Sequence, residues 1–184
     1  MAERTVLRGN RTQQGYLRLM TERYTIFSEA GDEYRLQFTT DRSNIIADRI
    51  LDLLLQDGIE VVEVGLGHVG STNVTSHRVL QQIEECIADF MTRNPNAILS
   101  YMCDFINLVP SNKKITVQEY RSRMFSAMFK RYMSQHHIAD IFDDEIKIDG
   151  VAETFYFHVI YHKKHEKYAK MIADGHHEDL DKPE

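Results

Sequence analysis

The chain has 184 residues and a formal net charge of −6. That length suits one domain, able to bury a core without metal or disulfide staples. The acidic balance argues against a nucleic-acid footprint spread over the whole surface, which takes a basic domain, and leaves room for a local basic patch. The two cysteines, Cys86 and Cys103, fall among apolar residues. They are too few for a disulfide framework and read as small buried hydrophobes. The first residues, Met1 to Thr5, are polar, with no apolar signal-peptide core behind them, and no apolar run reaches membrane-span length. The expected location is therefore cytoplasmic, with no membrane partner.

Residues 1–22 are polar and carry Arg4, Arg8, Arg11 and Arg18. They read as a flexible N-terminal arm or a short helix that docks late. A hairpin follows. Tyr24 to Phe27 is its first strand, Ala30 to Glu33 its turn, and Tyr34 to Phe38 its second strand, alternating as a half-buried antiparallel strand does. Ile46, Ile50, Leu53 and Leu54 then trace a helical stripe stopped by Gly58. Ile59 to Val64 is β-branched and reads as a strand, ended in a loop by Gly65, Gly67 and Gly70. Ser71 to Thr75 offers N-caps for an amphipathic helix running from Val79 to Met91, which Asn94-Pro95 terminates.

Ala97 to Cys103 is an apolar strand ending on Asp104. Thr116 and Glu119 form a capping-box signature for a helix running to about Gln135. Asp144 to Ile148 and Thr154 to His162 are strands about a turn at Asp149-Gly150, and Lys167 to Ala173 is a short helix. Residues from Gly175 read as a disordered tail. The order β-β-α-β-α-β-α-β-β-α, without repeat or linker, predicts one α+β domain over 23–174, in two or three layers. Its sheet is mostly antiparallel, with helices packed mainly on one face.

Gly65, Gly67 and Gly70 meet the spacing of a dinucleotide-binding turn, but Ser71 to Thr75 delays the helix that should open there. The acidic residue expected some twenty positions on falls inside a helix, so a plain turn is the better reading. His158 and His162 share a strand face about 13 Å apart, too far for one metal, and His165 adds no third ligand of convincing spacing. These histidines read as surface or half-buried residues, and no cofactor or metal is assigned. Glu145-Ile146-Lys147 with Asp104 loosely matches an acidic-x-Lys nuclease set, although a whole helix separates the two strands. No serine, threonine or cysteine stands in a recognisable nucleophile setting, so no catalytic residue is assigned.

The charge pattern is more informative. Lys113, Lys114, Arg121, Arg123, Lys130 and Arg131 are followed by Asp140, Asp143, Asp144, Glu145 and Asp149, a reversal able to steer a partner. On a helical wheel Arg123 and Lys130 face away from Val117, Met124 and Met128, whereas Arg121 lies inside that apolar arc. A buried guanidinium needs a carboxylate, and Asp104 is the nearest candidate. The expected binding residues are thus Asp104, Arg121, Arg123 and Lys130.

The block Asn94-Pro95-Asn96-Ala97-Ile98-Leu99, Tyr101 to Asp104, Tyr120 to Phe125 and Phe129 to Tyr132 resembles an uncharacterised family of small bacterial proteins. The shared pattern is an N-P turn, a strand ending in Cys-Asp and an R-x-R-x-F helix, over the second half of the chain. The resemblance implies a compact intracellular bacterial protein and carries no activity. The function expected is a non-enzymatic protein-interaction or regulatory module, of the immunity, inhibitor or complex-subunit kind. The alternative is a nucleic-acid-binding protein, or a metal-dependent nuclease, using the basic 113–131 helix. The aromatic strand 154–162, taken as an edge, leaves a homodimer open.

Overall fold

The computed structural model describes residues 3–8, 20–40, 45–69, 76–103, 115–149 and 154–180. Among the described residues, seven strands form one sheet: β1 (Glu3–Arg8), β2 (Met20–Phe27), β3 (Glu33–Thr40), β4 (Glu60–Val69), β5 (Ala97–Cys103), β6 (Ile141–Asp149) and β7 (Thr154–His162). Their order across the sheet is β1-β2-β3-β4-β5-β7-β6. Every neighbouring pair is antiparallel except β4 and β5. The helices are α1 (Asp48–Gln56), α2 (His77–Arg93), α3 (Val117–Gln135) and α4 (Glu166–Leu180). The α+β class and the mostly antiparallel sheet are as expected.

Alternation along the strands builds a core on each face. Val62 and Val64 of β4, Leu99 of β5 and Ile160 of β7 pack with α2 and α3. Val61, Ile98 and Val159 point the other way, to Ile50 and Leu54 of α1 and Ile172 of α4. The helices therefore cover both faces rather than mainly one, which is the three-layer arrangement. Central strands buried on both sides read as continuous apolar runs, and such runs do not reveal how many layers cover them. Phe38 and Phe90 stack at 4.2 Å between ring centres and tie the first hairpin to α2.

Several elements differ from their sequence reading. Within the presumed arm, Glu3–Arg8 is a strand paired antiparallel with β2. Gly65 and Gly67 do not lie in a loop. They sit inside β4, opposite Gln37 and Arg35 of β3, and Gly70 lies outside the described residues. β7 is not an edge, because β5 and β6 flank it, so pairing of two copies through 154–162 is blocked. α4 continues past Ala173 to Leu180. Gly175 is buried against α1, where a Cβ would meet the Ile50 side chain at 2.2 Å.

The helix-end chemistry follows the sequence closely. Gly58 takes φ 73° after α1, with Gly58 N–H on Leu55 O and Ile59 N–H on Leu54 O, a Schellman closure. Thr116 caps α3 by accepting from the Glu119 N–H at 3.1 Å.

Candidate functional site

Of the expected binding residues, Arg121, Arg123 and Lys130 lie on α3. Asp104 lies outside the described residues, as do Lys113 and Lys114. Arg121 is half-buried on α3. Arg123 and Lys130 are exposed, and a spacing of two turns puts them on one outer stripe. Arg123 is not a free cation, since its guanidinium meets the Glu119 carboxylate at 2.5 Å one turn back.

The buried polar chemistry sits on the inner side of the same helix. α3 turns Gln118, Ser122 and Ser126 toward the sheet, at i, i+4 and i+8. Gln118 and Ser122 are buried and Ser126 is half-buried. Facing them, the β6–β7 register sets Glu145 opposite His158 and Asp143 opposite Ile160. Opposed residues share a sheet face, so both carboxylates and the imidazole point at α3. Ser122 Oγ lies 2.9 Å from His158 Nε2, and His158 Nδ1 lies 2.9 Å from Asp143 Oδ1. Ser126 Oγ donates to the other Asp143 oxygen at 2.8 Å, and Ser122 Oγ also donates to Glu145. Tyr101 and Phe125 rings close the imidazole in.

Serine, histidine and aspartate in this order have the connectivity of an acyl-transfer relay. Three features argue against that use here. Ser122 and His158 are both 0 % exposed. Ser122 sits in the interior of a regular helix, whose backbone N–H groups are committed to carbonyls one turn back and cannot hold an oxyanion. The single hydroxyl proton of Ser122 is directed to Glu145, so Nε2 faces the oxygen without taking that proton. What the arrangement does chemically is satisfy buried polar groups and clasp α3 onto the β6–β7 hairpin.

The reading of His158 as a surface or half-buried residue is thus corrected. The other two histidines of that stretch are anchors as well. His162 Nε2 donates to Met91 O at 3.1 Å, and His165 Nε2 donates to Pro95 O at 3.0 Å. Burial lowers the His165 pKa, opposed by its bond to the Pro95 carbonyl. Among the described residues no group of three or more His, Cys, Asp or Glu side chains is placed to hold a metal. Burial pushes the Cys86 thiol up to about 12, which keeps it protonated and unreactive.

A second polar network joins α2 to β2. Arg93 spans both Glu22 oxygens, at 2.6 and 3.2 Å, and also reaches Asp89 at 3.0 Å and Tyr24 Oη at 2.7 Å. Glu22 is almost fully buried. Partial burial works most strongly against the Arg93 charge, but the hydrogen bonds to Glu22 and Asp89 and the nearby Tyr24 and Glu22 together outweigh it, and the pKa rises. Tyr24 is pushed up too, first by burial and then by its bond to Glu22. Glu22 and Arg93 lie 71 positions apart and share no local motif, so nothing in the sequence singles them out.

No family model, curated protein or solved structure matches the chain. Among the described residues no helix is long and apolar enough to cross a membrane.

Proposed function

We propose that the protein is a non-enzymatic interaction or regulatory module of the cell interior, of the immunity, inhibitor or complex-subunit kind. The observation that carries this reading is the contrast across α3. Its potential nucleophile and base are sealed against the sheet, while Arg123, Lys130 and Arg131 stand exposed on its outer side. A helix locked in place by an inner polar clasp presents its outer charges at fixed positions, as a docking surface needs. The partner would be an acidic protein surface. The net charge of −6 and the pairing of Arg123 with Glu119 weaken the field a long phosphate backbone requires.

Nucleic-acid binding through the same stripe is the second reading, favoured by the shared outward placement of Arg123 and Lys130. Purification of the tagged full chain from its native cells, with and without nuclease, separates the two. The module reading expects a stoichiometric, nuclease-resistant protein that is lost from the Arg123→Glu, Lys130→Glu double variant. Nucleic acid that salt releases, and that the same variant loses, would favour the second reading. Recovery of neither species would refute both.

A further inference from the structure

The inner row of α3 continues one turn past the clasp, and there a buried donor is left over. Ser126 meets Asp143, and Ser122 meets Glu145. Four residues of helix rise about 6 Å and two residues of strand about 7 Å, so helix and strand stay in step. One further step sets Gln118 over Lys147 of β6 and Tyr156 of β7. These two are opposite each other in the ladder and share the α3 side of the sheet with Glu145 and His158. Burial raises the Tyr156 pKa and the Glu119 and Glu145 carboxylates add to it, which places the hydroxyl beside the first turn of α3.

Three side-chain donors meet there without an acceptor. Gln118 is 2 % exposed, and its Nε2 has no hydrogen-bond partner. The Tyr156 hydroxyl makes no hydrogen bond among the described residues. The Lys147 ammonium lies 5.6 Å from the centre of the Tyr156 ring and comes no closer to Glu145 than 3.8 Å, too far for a hydrogen bond. The helix adds to this excess. Thr116 takes the Glu119 N–H, which leaves the Val117 and Gln118 N–H groups without an acceptor inside α3, at the positive end of its dipole. A buried amide donor costs stability unless something accepts from it.

Charge and size select the acceptor. Glu119 is taken by Arg123 and Glu145 by Ser122, and both carboxylates stay close enough to disfavour a doubly charged phosphate. A singly charged group with two acceptor oxygens suits an amide donor and an ammonium side by side. Gln118 and Tyr156 are both buried, which admits a small molecule rather than a folded surface. We propose that Gln118, Tyr156 and Lys147, at the N-terminus of α3, bind the carboxylate of a small acid. This site stands whether or not the outer stripe of α3 meets a partner.

Urea unfolding of the full chain at pH 7, in sodium acetate and in sodium chloride of equal ionic strength, tests this with acetate as the probe. A ligand that binds only the folded chain raises the midpoint. Acetate also acts on protein surface in general, so the readout is the difference between wild type and variants. The wild type should gain a saturating increment in acetate that Gln118→Leu lacks. Lys147→Met should need about tenfold more acetate for the same increment, as loss of a charged hydrogen bond implies. In chloride Gln118→Leu should at least match the wild type, because it removes the orphaned donor. Lys147 is exposed, so Lys147→Met serves alone should Gln118→Leu misfold. In nitrogen-15 NMR spectra of the wild type, the Gln118 side-chain amide should shift along the same acetate titration. Equal increments in wild type and variants, or a Gln118 amide that does not move, would overturn the proposal. Phosphate acting at lower concentration than acetate would overturn the assignment to a carboxylate.

Discussion

Removing one member of the α3 clasp should cost far more than replacing the pair. In His158→Leu, Asp143 keeps its burial, with a side chain only 1 % exposed, and loses the imidazole 2.9 Å away. Ser126 remains a partner to one carboxylate oxygen. Removing the partner of a buried carboxylate costs about 3–5 kcal/mol, because the survivor stays desolvated. The retained Ser126 bond puts His158→Leu near the lower end, at roughly 3 kcal/mol. Asp143→Leu orphans His158 Nδ1 and the Ser126 hydroxyl, also for roughly 3 kcal/mol. The double variant replaces both members of the pair with apolar side chains and strands neither of them. Its cost should fall at least 2 kcal/mol short of the two single costs added together. Urea unfolding by circular dichroism measures all four corners of the cycle, provided the slopes agree. Additive costs within about 0.5 kcal/mol would show that the two side chains do not act as a unit, and would refute the clasp.

Glu84 should make stability depend on pH in an unusual direction. Burial raises its pKa from 4.5 to about 7, with Arg131 opposing and Glu85 adding. Between those two values the folded state binds the extra proton, so this group's contribution is present below pH 4.5 and is lost as pH rises through about 7. The interval bounds the effect at ~3.4 kcal/mol, and solvent screening of a half-buried side chain reduces it to about 1–2 kcal/mol. Glu84→Gln should therefore stabilise the protein by that amount at pH 8 and by little at pH 4.5, read from urea midpoints at the two pH values. An equal gain at both would contradict this. Arg93→Ala should cost about 2–4 kcal/mol by leaving Glu22 buried without its guanidinium partner. Adding Glu22→Gln to Arg93→Ala should recover part of that loss, and a second substitution that merely adds to the first would rule the network out.

Where one local force decides an element, the sequence shows it. The β2–β3 hairpin, the α2 stripe, the Thr116 cap and the Gly58 stop all depend on neighbours within a few positions. The β4 extension was hidden because Gly65 and Gly67 weaken a strand on propensity grounds. β3 overrides that weakness by pairing with β4 through Val69, opposite Glu33. Layering was hidden for a different reason, since Val159 and Ile160 are alike in sequence and opposite in destination. His158 was missed because it interrupts an apolar run that already reads as a strand. Two signals could have found it. Ser122 and Ser126 repeat at i, i+4 on a helix face turned inward, and a β6–β7 hairpin about Asp149-Gly150 brings Glu145 opposite His158.

That inner seam also explains why α3 is the least amphipathic of the helices and still docks in one position. Gln118, Ser122 and Ser126 occupy places where the other helices set valine, leucine or isoleucine. Apolar contacts tolerate sliding and rotation at modest cost, because any nearby apolar surface serves. Hydrogen bonds do not, because a displaced donor leaves its acceptor buried and empty. A one-residue rotation of α3, about 100° around its axis, would carry Ser122 away from His158 and Ser126 away from Asp143 together. The seam thus exchanges some apolar burial for a fixed helix register. The same rotation would swing Arg123 and Lys130 to a different side of the domain. The clasp that holds the relay silent is therefore what sets the position of the charges proposed to meet a partner.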